Sequence, residues 1–189
     1  VKNFPQIEHL YKKFPEKKIF MMTLETDPSI QNAEDVENKI IEKGMWSTNY
    51  AKDLLTKTEF SKQKEKYELV RFTVSELGLT NTTTDDIYKK AEELGLELCP
   101  TEVGPQLRLQ YESGEWMYIA MNQITDRDGA PNLFYVFSNG AKRKLNAITA
   151  RPGERWNSVN GFVFRFRKSL HFQSVDMTGW FCFGADMVK

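Results

Sequence analysis

The chain predicts an α+β fold: a small helical N-terminal unit followed by an antiparallel β meander or small barrel with one covering helix. Two observations carry that expectation. Residues 162–168 place Phe162, Phe164 and Phe166 at every second position, with Arg165 and Arg167 among the residues between them. A period of two sends alternate side chains to opposite faces of a sheet, so this run reads as a half-buried strand with buried rings and solvated cations. Short apolar runs then recur through the second half of the chain at roughly ten-residue spacing, separated by turn residues. The first half instead carries helix punctuation.

Taken in order, Ile7, Leu10, Tyr11 and Phe14 make one short apolar pattern that Pro15 stops. Residues 17–25 form a strand candidate that ends before Asp27 and Pro28. Asn32 is an N-cap candidate, with Glu34 and Asp35 in the favourable first turn and Gly44 as the stop. Residues 47–49 cap a second helix carrying Leu54 and Leu55. The lysine-rich run 60–66 is the best linker candidate; the chain reads either as a helical unit, 1–60, and an α+β module with an antiparallel sheet, 67–189, or as one continuous domain. Residues 67–74 alternate as a strand. Thr82, Thr83 and Thr84 precede Asp85 and Asp86 as a capping cluster for a helix over 85–94, with Ile87, Ala91 and Leu94 turned toward the sheet. Residues 107–111, 116–124 and 132–137 are the next strands. Turns fall at 112–114, 126–129, 138–140, 151–153 and 160–161. Residues 180–183 offer one more strand in the tail.

The aromatic share of 13% is high, while the net charge of zero argues against a global electrostatic grip on nucleic acid or an anionic membrane. Charge is uneven, however. Residues 125–168 hold nine basic side chains against three acidic ones. No apolar run approaches the roughly 18 residues that a membrane span needs, and lysines interrupt every apolar stretch near the start, so a cytoplasmic location is expected.

No catalytic, cofactor or metal site is expected. The two cysteines, Cys99 and Cys182, are too far apart for a metal knuckle. His9 and His171 have no local motif that would activate a thiol. Asp126 and Asp128 with Gly129 begin like a calcium loop, but its twelfth position would be Phe137, so a hairpin turn is the reading. The functional expectation therefore rests on the basic sheet. Trp116, Arg151, Arg155, Trp156, Arg165 and Arg167 are the candidate contact residues, with Lys142, Arg143, Lys144 and Tyr135 available beside them. Two ligand classes suit such a face: a protein partner anchored by Trp and Arg, or single-stranded nucleic acid on an aromatic platform in a cationic groove. Arginines on a solvent-facing strand also serve simply to keep it soluble and to guard its edges. An enzyme would need Cys99, His171 or the Asp126–Asp128 pair to meet in a cleft.

One long string stands out. Residues 96–111 read Leu-Glu-Leu-Cys-Pro-Thr-Glu-Val-Gly-Pro-Gln-Leu-Arg-Leu-Gln-Tyr. With 74–78, Gly114 to Trp116, Asp126 to Gly129, Arg155 and Trp156, this string resembles an uncharacterised family of bacterial proteins across 73–168, and loosely across 32–60. The resemblance implies no particular activity. In this chain the segment 138–149 is more basic than the family pattern, and 21 residues follow Lys168.

Overall fold

The computed structural model describes residues 8–14, 20–112, 114, 116–138 and 142–167; the 180–183 strand and the contributions of His171 and Cys182 lie outside them. The fold is α+β. In chain order the elements are α1 (Glu8–Lys13), β1 (Phe20–Glu25), α2 (Ala33–Glu42), β2 (Trp46–Ser47), α3 (Asn49–Leu55), β3 (Lys66–Thr73), α4 (Thr84–Glu93), β4 (Leu96–Glu97), α5 (Val103–Gln110), β5 (Met117–Ile119), β6 (Ile124–Thr125), β7 (Pro131–Ser138), β8 (Arg143–Thr149) and β9 (Gly161–Phe166).

Local chemistry sets the helix boundaries. The Asn32 side chain accepts the Asp35 N–H at 3.0 Å, and Thr48 accepts that of Ala51 at 3.3 Å. Thr83 and Asp86 cap each other's backbone in a reciprocal box. Gly44 follows α2 with φ +64°, a conformation that costs a side-chain-bearing residue energy, and so turns the chain into β2.

The nine strands form one open sheet in the order β1-β3-β9-β5-β7-β8-β2, with β4 beside β9 and β6 beside β7. It is mixed and does not close into a barrel: β2 runs parallel to β8 and β5 parallel to β9, while the other pairs are antiparallel. Strands from the first quarter of the chain occupy both edges of the main path, and one continuous apolar core runs from Leu10 to Phe166. The lysine-rich stretch before β3 is tied into this body, since Ser61 N–H donates to Glu102 and Glu65 N–H to Thr26.

Residues 107–111, expected as a strand, are the end of helix α5 and its cap. The helix touches β1 at one margin of the sheet and β7 and β8 near the other, so the sheet curls around it. Every residue from Val103 to Leu109 is buried. Gly104 makes this close approach workable: a Cβ there would lie 2.7 Å from the Phe134 Cβ.

Strand β9 has the expected alternation but not the expected solvated face. Phe162, Phe164 and Phe166 are buried on the outer face of the sheet, and Val163, on the inner face, is buried as well. Arg165 is only half-exposed and pairs with Glu97, its cross-strand neighbour, at 3.0 Å. The reason is position: β9 lies between β3 on one side and β4 and β5 on the other, and both faces are covered.

Depressed carboxylates link the fold to pH, and besides Glu93, which Lys90 holds low at the surface, three take part in turns and caps. Asp27 is lowered to about 2, chiefly by the Ser29 hydroxyl and N–H. Asp86 is held low by Thr83, and Asp126 by the N–H of Ala130 and the Asn132 amide. Depressed carboxyl groups contribute stability that is present above the unfolded value of roughly 4 and is lost as pH falls through the folded one. The urea midpoint is therefore expected to fall between pH 5 and pH 2. A midpoint that does not change across that window would contradict the assignment of these three groups.

Candidate functional site

Registers bring a row of side chains together on the outer face. Trp46 of β2 lies opposite Lys144 of β8, and Lys144 opposite Phe137 of β7. Trp116 precedes Met117, whose partner is Val136, and so meets Phe137 across the next strand gap. The Lys144 ammonium sits 5.2 Å from the Trp46 ring and 5.5 Å from the Phe137 ring. Each separation is within cation–π reach. Trp116 meets Phe137 edge-on at 4.6 Å and stacks on Tyr135 at 5.6 Å and 13°. Trp46 and Trp116 are 46% and 47% exposed, and Phe137 and Lys144 are half-buried. This part of the outer face is open to solvent.

One register step along, the face is fixed by polar contacts. Thr48 Oγ1 donates to Asn146 Oδ1 at 2.7 Å, and the Asn146 amide donates to the Tyr135 hydroxyl. Burial raises the Tyr118 and Tyr135 phenols, so both stay protonated. Tyr118 then contacts Trp156 at 4.9 Å, and Trp156 contacts Phe162 at 5.0 Å. A chain of rings thus runs from the exposed row into the core.

Arg108 of α5 supports the row from beneath. It is fully buried, and its guanidinium donates to the carbonyls of Phe137, at 3.0 Å, and Tyr111. Burial pulls its pKa down to about 10, with the nearby Arg143 charge as the next cause. These bonds pin the backbone of Phe137 itself and of the segment that leads to Trp116.

The sequence-predicted contact residues do not gather in one patch. Trp156 is 4% exposed and donates its indole N–H to Thr84 Oγ1 at 2.8 Å. Arg155 donates to the Asn81 carbonyl, near the start of α4. Arg165 and Arg167 share Glu97, and Arg167 lines a hollow with Glu92 and Leu96 near the end of α4. Arg151 is exposed in the turn that closes on Glu154. Trp116 alone of the six belongs to the open aromatic row. Trp46 and Phe137 join it, and no local motif marked them: their meeting depends on the pairing of β2 with β8, across nearly a hundred residues.

A second feature surrounds Cys99 and Glu102. Glu102 is 3% exposed and accepts from the Tyr67 hydroxyl and the Ser61 N–H, both at 3.0 Å. It lines a hollow with Cys99, Phe60 and Asn122. Burial, with the Glu102 charge next, pushes the Tyr67 phenol well above its ordinary range. Burial pushes the Cys99 thiol up to about 12, so it is protonated at neutral pH and unsuited to nucleophilic attack. The Asp126 carboxylate is committed to its hairpin turn, accepting from Asp128 N–H and Ala130 N–H at 2.9 Å and from Asn132 at 2.7 Å. Among the described residues no group of three or more His, Cys, Asp or Glu side chains is placed to hold a metal ion, and no helix is long and apolar enough to cross a membrane. No family model, curated protein or solved structure matches the chain.

Proposed function

We propose that the protein is a non-enzymatic binding module and that its contact surface is the open aromatic row of Trp46, Lys144, Phe137 and Trp116. One observation carries this reading: two tryptophans, each about half exposed, stand in a single cross-strand row with an ammonium between two of its rings. Large rings left in solvent contribute little to folding, whereas at an interface Trp is among the residues that dominate binding energy. Rigidity supports the reading too. The rings sit on paired strands braced by Arg108 and by the Asn146–Tyr135 contact, so little conformational freedom is lost when a ligand covers them. The buried thiol and the committed carboxylates leave the Cys99 and Asp126 regions poorly suited to covalent chemistry.

The test is native mass spectrometry of protein purified gently from cells, comparing the unchanged chain with the Trp46→Ala/Trp116→Ala variant. The unchanged protein is expected to carry additional mass that the variant lacks. Equal retention by both, or none by either, would overturn the reading.

A further inference from the structure

We infer that the ligand of this surface is single-stranded nucleic acid, an inference that rests on the open row being a contact surface. Shape, spacing and charge each favour it. Neighbouring strands are about 4.8 Å apart, so the row Trp46, Lys144, Phe137 and Trp116 spans about three strand gaps, with the ammonium between the rings of β2 and β7. Unpaired bases stack on such a row in any order, because every base presents a π face. A duplex cannot use it, since its bases are already stacked. The β8 end of the row is cationic through Lys144, which already lies over the rings, where a phosphate could meet it while the base stacks beside it. Lys142, two positions earlier, is exposed. Arg143 between them belongs to the opposite face of the strand, opposite Ser138, where it pairs with Glu112 at 3.2 Å. A chain of zero net charge thus leaves an ammonium where the rings are open.

A dye-labelled 12-nucleotide oligothymidine and its RNA counterpart, titrated at 50 mM KCl and followed by anisotropy and tryptophan quenching, test the assignment. Binding is expected, with affinity falling as salt rises by about 0.7 in log–log slope for each phosphate neutralised. A duplex of equal length is expected to compete poorly. Trp116→Ala should weaken binding about tenfold or more, as expected for a lost stacking contact, while leaving the thermal midpoint within a few degrees. Lys144→Ala should reduce the salt slope by about 0.7, the value of one phosphate contact. No binding of either oligonucleotide at 50 mM salt, binding unaffected by Trp116→Ala, or equal competition by duplex would each overturn the inference. If oligonucleotides fail but a protein or a second copy of this chain is retained through Trp46 and Trp116, the ligand class falls and the contact surface stands. If the row variants change nothing in either assay, both fall.

Discussion

Replacing Trp156 by alanine is expected to destabilise the protein by about 3–5 kcal/mol, the range for removing a large buried aromatic side chain. The indole is 4% exposed and packs between Tyr118, at 4.9 Å, and Phe162, at 5.0 Å. Its loss leaves a void where the 150–160 segment is pinned to the sheet, and Thr84 Oγ1, itself 2% exposed, loses its donor. That hydroxyl belongs to the first residue of α4, so the helix loosens from the sheet as well. Trp156→Phe should recover part of the packing but not the hydrogen bond, and so fall between the two. Trp116→Ala provides the contrast, with an expected cost under about 1 kcal/mol because its ring is half in solvent. Urea unfolding followed by circular dichroism measures all three. A Trp156→Ala cost no larger than that of Trp116→Ala would show that the two tryptophans have been assigned the wrong roles.

Gly104→Val is expected to cost about 3 kcal/mol, at the upper end for overpacking a well-filled core. The first atom of any new side chain would sit 2.7 Å from the Phe134 Cβ and 2.9 Å from its ring. The Phe134 Cβ is bonded directly to the backbone of β7, a strand paired on both sides, so it cannot swing away as the tip of a long side chain would. Helix α5 would have to lift off the sheet, and it cannot do so without moving Arg108 and the row above it. Combining Gly104→Val with Phe134→Ala should be less damaging than the sum of the two single changes, because alanine removes the ring atoms at 2.9 Å and valine fills part of the void, although the Cβ contact at 2.7 Å remains. Strict additivity in a double-mutant cycle would contradict the contact with the Phe134 ring.

The helices that were legible in the sequence are those with chemical punctuation. Asn32 and Thr83 sit just before α2 and α4, and each performs the capping that its side chain allows. Strand β3 was legible from its run of β-forming apolar residues, Tyr67, Leu69, Val70 and Phe72, interleaved with polar ones. Helix α5 was hidden because it is buried on all sides and therefore lacks the polar stripe that reveals a surface helix. Its closing residues, Leu107, Arg108, Leu109, Gln110 and Tyr111, alternate as a strand would, but Arg108 is fully buried, bonded to carbonyls instead of water. A single sequence gives no reason to expect an arginine there. The site was half legible for a similar cause. Aromatic and basic residues were visible as classes, yet which of them meet depends on a two-residue strand, β2, pairing with β8 nearly a hundred positions away. Trp156 and Trp116 look alike in the sequence, each following a charged residue, and only the path of 150–160 across the sheet separates them.

The placement of β9 affects how the protein can be made. This strand, the last of the described ones to leave the ribosome, inserts between β3 and β5, which were synthesised about 90 and 40 residues earlier. Until it arrives, those two neighbours have no common partner and their facing hydrogen-bonding groups stay unmatched, a template for wrong association. Translation therefore cannot lay down a finished N-terminal half and add to it; the middle of the molecule is assembled last. A nascent chain stalled before Gly161 would be a clear substrate for chaperones and proteases.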